Sequence, residues 1–175
     1  MSDCCTPISA GNGKDAVIEN CCAPNLENNI EANQCPTCSN KGKKVDSITL
    51  KAMLNISLLA VRDVPYFFCR TVDCEVVYFS GDGQQAFTKA QVREPVFQKE
   101  SQNDDAFVCY CFRHSPATIR AELLDAGQST VIAEINAGIK AGQCACEVRN
   151  PQGSCCLGNV GQVVKRVEQA IKMAA

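Results

Sequence analysis

The sequence predicts an α+β chain in which a small β/α unit precedes a helical unit, and three observations carry that reading. Fourteen cysteines fall mostly as close pairs, at Cys4-Cys5, Cys21-Cys22, Cys35-x-x-Cys38, Cys69-x4-Cys74, Cys109-x-Cys111, Cys144-x-Cys146 and Cys155-Cys156. Aromatic and β-branched residues flank the Cys69/Cys74 pair, with Tyr66-Phe67-Phe68 before it and Val76-Val77-Tyr78-Phe79 after it. That is the composition of two strands joined by a turn. Beyond residue 115 the apolar residues recur at helical spacing instead.

Four regions follow from composition. Residues 1–34 read as a flexible, cysteine-containing tail: they are rich in Asn and Gly, carry five acids against one Lys, and show neither a helical nor a strand period. Residues 35–93 form the first compact unit and 109–175 the second, each with its own cysteine set. Between them, 94–108 is an acidic, aperiodic linker containing Glu94, Glu100, Asp104 and Asp105. Units of this size are marginal on a hydrophobic core alone, so a bound metal in each would add folding free energy. No basic block suggests nucleic acid, and no apolar run is long enough for membrane insertion. The start of the chain lacks a secretory pattern, which predicts a cytoplasmic protein with reduced thiols. Adjacent cysteines also suit disulfides poorly, because their Cα atoms lie only about 3.8 Å apart.

In the first unit, Cys35-Pro36-Thr37-Cys38 precedes a basic, Gly-containing stretch, Lys41 to Lys44. Such a turn aims backbone N–H groups at its thiolates, and the lysines offset their charge. Thr49 to Val61 is helix-compatible, with Leu50, Met53, Leu54 and Leu58 near one face. The strand–turn–strand around Cys69 and Cys74 then returns a second thiol pair. Four cysteines in two such knuckles, Cys35, Cys38, Cys69 and Cys74, suit a closed tetrahedral Zn²⁺ site with no open position.

The second unit opens on Val108-Cys109-Tyr110-Cys111. Ser115-Pro116 is a helix start, and Gly127 ends that helix. Another begins at Ser129 or Thr130 and runs toward Gly142. Cys144 and Cys146, a turn through Asn150-Pro151-Gln152-Gly153, and Cys155-Cys156 lead to a last helix near Asn159. Its stripe of Val160, Val163, Val164, Val167 and Ile171 reads as core packing. Two thiolate pairs at the ends of a helical hairpin suit a two-iron cluster, two sulfurs per iron.

The Cys-x-Cys pair, the gap of 34 residues from Cys111 to Cys146 and a return to cysteine before a helix resemble the bacterioferritin-associated ferredoxin family. That resemblance implies a helical [2Fe–2S] domain, although the family's later Cys-x-x-Cys is here Cys146 followed by Cys155 and Cys156. A wider resemblance spans about residues 35–160: Cys-Pro-x-Cys, Phe-Cys-x4-Cys-Glu-Val-Val-Tyr-Phe, Val-Cys-Tyr-Cys and Asn-Pro-x-Gly-x-Cys-Cys, in that order. It is similar to the N-terminal half of iron–sulfur-binding metallochaperones of the CopZ type. The resemblance implies zinc at Cys35, Cys38, Cys69 and Cys74, and a [2Fe–2S] cluster at Cys109, Cys111, Cys146 and Cys156 or Cys155. It also implies reduction of Cu(II) to Cu(I). The Met-x-Cys-x-x-Cys loop of the family's copper-delivering half does not occur in these 175 residues.

Cys4, Cys5, Cys21, Cys22, Cys144 and one of Cys155 and Cys156 remain outside both sets. Soft thiolates favour Cu⁺ and similar ions, so the four tail cysteines are candidates for soft-metal capture; an inert tail is the competing reading. His114 reads as a solvent-facing residue before a helix rather than a partner of the cluster, and Arg113 as a charge that offsets the thiolates. The function expected is copper- or mercury-type metal handling, with a metal-transport or metal-resistance protein or a redox partner. A ferredoxin-like electron carrier and a metal-stabilised subunit of a complex are the alternatives. No Gly-rich phosphate loop or hydrolytic constellation is present, and the expected reactivity is metal-ion reduction through the cluster rather than classical enzyme chemistry.

Overall fold

The computed structural model describes residues 33–100 and 102–174. The tail expected over 1–34, with Cys4, Cys5, Cys21 and Cys22, lies outside these but for its last two residues. A four-stranded antiparallel meander comes first, built from β1 (Lys43–Val45), β2 (Tyr66–Phe68), β3 (Val76–Ser80) and β4 (Ala86–Thr88), in that spatial order. Helix α1 (Ser47–Met53) lies between β1 and β2. Four helices follow: α2 (Pro116–Ala126), α3 (Val131–Lys140), the short α4 (Cys146–Arg149) and α5 (Leu157–Ala174).

Strand alternation gives the sheet two different faces. Phe67 pairs with Phe79 across β2 and β3, and their rings stack 5.7 Å apart on the face that carries Cys35, Cys69 and Cys74. Tyr66 and Phe68 turn to the opposite face and pack with Leu50 and Met53 of α1 and with Leu54 just beyond it. An irregularity between Val76 and Tyr78 lets consecutive Val77 and Tyr78 enter that same core. Gly42 is required by close approach, since a Cβ there would meet Phe79 Cζ at 2.6 Å and Phe67 Cβ at 2.8 Å.

The helix expected over Thr49–Val61 stops at Met53, a difference with a visible cause. Leu54 leaves helical geometry to form a bridge with Val92, and Asn55 N–H donates to Gln91 C=O. Only a short 3₁₀ turn, Leu58–Ala60, follows. The later helix ends are closer to expectation. Ser115 caps α2 by accepting from Thr118 N–H, Thr118 Oγ1 accepts from Ser115 N–H, and Gly127 closes the helix at φ 70°. Glu122 then gathers the turn into α3, accepting from Ser129 Oγ, Thr130 N–H and Thr130 Oγ1. The valine stripe of α5 is buried against α2 and α3.

The described residues of 94–108 carry turns rather than helix or strand, yet they are packed rather than a free spacer. Val96 enters the core under the sheet, whereas Phe97, Ala106 and Val108 enter the helical core. Tyr110 Oη accepts from Phe97 N–H and donates to Pro95 C=O, fixing the crossing point. Lys99 is 6% exposed, and its Nζ donates to Thr71 C=O in the loop between Cys69 and Cys74.

The helical part also docks directly on the sheet part. Helix α1 packs against α4, and Tyr78 Oη donates to Pro151 C=O at 2.6 Å in a buried contact. Lys43 Nζ reaches Ser154 Oγ at 2.7 Å. Removing the Tyr78 hydroxyl leaves the Pro151 carbonyl unpaired in this buried place. Tyr78→Phe should therefore destabilise the chain by about 1–3 kcal/mol, read as a lowered denaturant midpoint with an unchanged slope.

Candidate metal centres

At the first centre the backbone makes the geometry before any cation does. The Cys35–Cys38 turn closes with Ser39 N–H on Cys35 C=O and with Ser39 in the left-handed region at φ 58°. This turns the N–H groups of Cys38 and Thr37 toward the Cys35 sulfur and that of Asn40 toward Cys38. Cys74 receives Val76 N–H in the same way. Cys69 N–H bonds Val77 C=O, so the sheet itself positions the second pair. The four sulfurs of Cys35, Cys38, Cys69 and Cys74 lie within 4.8 Å of one another, with Cys35–Cys74 at 3.9 Å and Cys38–Cys69 at 3.6 Å. A tetrahedral site with Zn–S bonds of about 2.3 Å has edges of about 3.8 Å, so the set fits that ion.

Burial and hydrogen bonding split the thiols. Burial, before all else, pushes the Cys35 thiol up to about 12, and burial likewise raises Cys74. Burial acts upward on Cys38 too, but hydrogen bonds from Thr71, Asn40 N–H and the neighbouring thiols outweigh it and hold Cys38 near about 6. Thr71 Oγ1 lies 3.2 Å from Cys38 Sγ and accepts from Asn40 Nδ2 at 2.8 Å, which leaves its own proton for the sulfur.

The second centre starts from the same turn. Cys109 N–H donates to His114 C=O and His114 N–H returns to Cys109 C=O, while Arg113 takes the left-handed conformation at φ 60°. Arg113 thus stands four residues after Cys109, as Ser39 stands four after Cys35. The N–H groups of Phe112 and Cys111 point to the Cys109 sulfur. The difference is one of spacing: the first turn has its second cysteine at the fourth position, this one at the third. The fourth position is Phe112, whose ring lies so close over α3 that a Cβ on Gly138 would meet its Cζ at 2.3 Å.

That shift sends the two sulfurs to different partners. Cys109 pairs with Cys156, and the hydrogen bond from Cys156 is the main influence holding Cys109 down at about 7. Cys111 lies instead 3.9 Å from both Cys144 and Cys146, with its own thiol pushed up to about 12 by burial. Cys146 links the two sides: chiefly through Cys156, it is held near about 5, and Cys156, which serves both Cys109 and Cys146, is itself pushed up. Cys156 is buried and Cys155 exposed. Cys144, outside the expected set, sits 3.4 Å from Cys146, and the Cys111, Cys144 and Cys146 sulfurs lie within 4.8 Å of one another. Its membership was open to a sequence signal: Cys144-x-Cys146 repeats the Cys109-x-Cys111 spacing.

His114 is half-buried and directs Nε2 to Glu134 at 3.8 Å, while the Arg113 guanidinium covers the Phe107 ring at 4.2 Å and reaches Glu94 at 3.7 Å. Both side chains find partners among aromatic and acidic neighbours. Among the described residues no helix is long and apolar enough to cross a membrane.

A four-stranded sheet bearing a compact thiol set, joined to helices bearing a second, defines a cysteine-rich metal-binding protein. Residues 32–93 match a family described as a zinc binding domain, zf_CopZ. The copper chaperone CopZ of Archaeoglobus fulgidus is 30% identical over 145 residues, which are 77% of this chain and 68% of that protein. The X-ray structure of the A. fulgidus CopZ N-terminal domain aligns with a TM-score of 0.62 at 29% identity, covering 74% of this chain and 96% of that one. The chain belongs to the family of the copper chaperone CopZ.

Replacing Thr71 by Val removes the hydroxyl donor while keeping the shape. A donor to the charged form lowers a thiol pKa, so its loss must raise it. In metal-free Thr71→Val the pH midpoint for alkylation of Cys38, followed by mass spectrometry, should climb from about 6 toward the ordinary 9.0.

Proposed function

We propose that this chain is a zinc- and [2Fe–2S]-containing metallochaperone that handles copper and passes it on in the reduced state. Zinc occupies the closed set of Cys35, Cys38, Cys69 and Cys74 and is structural. The cluster is held by Cys109 and Cys156 on one iron and by Cys111 and Cys146 on the other. The observation that supports this division is the difference between the two turns. With cysteines at the first and fourth positions the sulfurs converge on one point; with cysteines at the first and third they join separate partners, as a two-iron group requires.

Each centre has a distinct task in this reading. The zinc set is locked between sheet and knuckle, with Cys35 and Cys69 at most 1% exposed, so it offers no open ligand position. Cys111 is partly exposed and lies on the solvent side of the second centre, whereas Cys109 and Cys156 are buried. A [2Fe–2S] group bound there supplies one reversible electron. Cupric copper is the acceptor, and the cuprous product is the soft ion that thiolates hold. Cys4, Cys5, Cys21 and Cys22 capture it, and a metal-transport protein receives it.

Two measurements test the reading. Anaerobically purified chain should contain two irons, two acid-labile sulfides and one zinc, with a red-brown spectrum that dithionite bleaches; zinc alone without sulfide would overturn the cluster. Replacing the four tail cysteines with Ser should abolish one stoichiometric Cu⁺ site while leaving iron and zinc in place. Unchanged Cu⁺ stoichiometry in that variant would remove the tail from the function.

A further inference from the structure

The second centre presents five thiols where the cluster of the proposed function uses four, and the fifth is not placed at random. Cys144 Sγ and Cys146 Sγ are 3.4 Å apart, and each is 3.9 Å from Cys111 Sγ. Two thiolates on one tetrahedral iron stand about 3.8 Å apart when the metal–sulfur bonds are about 2.3 Å, as in thiolate zinc sites. Cys111 can therefore share a metal with either sulfur at the same spacing.

Their surroundings differ. Cys146 is buried in the helical core at the first position of α4 and interacts with Cys156. Cys144 is partly exposed and belongs to the short irregular segment between α3 and α4. That segment leaves α3 through Gly142 at φ +69°, where added atoms would meet nothing within 4 Å. Ala145 N–H, between the two cysteines, donates to Cys111 Sγ at 3.4 Å, so this stretch of backbone is already registered against the shared ligand.

We propose that Cys144 is an exchange ligand: it replaces Cys146 on the iron bound by Cys111, and this inference rests on the cluster reading above. In the exchange, the Cys144 thiol gives its proton to water and its sulfur forms the bond to iron. The bond from Cys146 sulfur to that iron breaks, and Cys146 takes up a proton. No electron moves, and one thiolate replaces another. Cys109 and Cys156 keep the inner iron throughout, so the cluster stays tethered while its outer iron changes from a buried ligand to one facing solvent. The outer position is the route by which iron is loaded and removed.

The test compares Cys144→Ala, Cys146→Ala and the double variant in the full chain, reconstituted with iron and sulfide. Alanine is chosen because it cannot itself ligate iron. Readouts are iron and sulfide content, the visible spectrum, and the rate of iron loss to a ferrous chelator. Cys146→Ala should keep most of its iron and an all-thiolate spectrum, and the double variant should lose about tenfold in iron retention. Cys144→Ala should keep full iron and an unchanged spectrum but release iron about tenfold more slowly, since its removal closes the exchange route. The exchange is overturned by a Cys146→Ala chain as empty as the double variant, or by a Cys144→Ala chain that releases iron at the unaltered rate. The second outcome decides the matter even where Cys146→Ala does not fold, because Cys144 is partly exposed at the edge of the core. Unaltered protein without sulfide would instead overturn the cluster reading itself, a distinct result.

Discussion

Sulfur atoms packed less than 4 Å apart, as at Cys35/Cys74, Cys38/Cys69 and Cys111/Cys146, cannot all ionise without a cation among them. This constraint shapes both halves of the molecule. Within each set hydrogen bonds hold some thiols low and burial holds others high, Cys38 against Cys35 and Cys146 against Cys111. A cation entering either set displaces the remaining protons and turns that repulsion into attraction. The sheet and the helices are therefore frames whose packing opposes the mutual repulsion of the groups they gather, and metal binding and folding reinforce each other.

A single backbone device serves both frames. The turn after Cys35 and the turn after Cys109 each place a non-glycine residue in the left-handed region four positions on, and each aims successive N–H groups at the leading sulfur. Moving the second cysteine from the fourth position to the third changes where its sulfur points while leaving the turn intact. The vacated position is filled by Phe112, which leans on Gly138 and ties the turn to α3. One turn thus yields a convergent thiol set on the sheet and a divided one among the helices.

Much of this was legible in the sequence, for physical reasons that also explain the remainder. Strands β2 and β3 are dense in aromatic and β-branched residues, and α2 carries its cap, its proline and its terminal glycine in the expected places. Strands β1 and β4 have three residues each, too few for alternation to show. Leu54 fits the helical stripe of α1 but finds a strand partner in Val92, a contact 38 residues away that no local period reveals. The acidic composition of 94–108 suggested a spacer because its buried residues, Val96, Phe97, Ala106 and Val108, are scattered between charges. Cysteine spacing grouped Cys35, Cys38, Cys69 and Cys74 in one set and Cys109, Cys111 and Cys146 in another, but it left Cys144 aside and did not separate Cys155 from Cys156. Both distinctions are a matter of burial, which depends on how α4 and α5 dock.

The packing between the halves joins these local facts into one device. Lys99 bonds Thr71 C=O, and Thr71 Oγ1 contacts Cys38, so a residue of the connecting segment touches the loop that tunes the first centre. Tyr78, in the strand that follows Cys74, holds Pro151 in the turn that precedes Cys156. The first thiol set is thereby braced by the connecting segment, and the second by a strand of the sheet. Tyr78 thus ties the strand after Cys74 to the turn leading into α5, where Cys156 meets Cys109 and Cys146. The buried thiols of the second centre are Cys109, Cys146 and Cys156, and the partly exposed ones are Cys111 and Cys144. That asymmetry of burial follows from which residues the two halves use to hold each other.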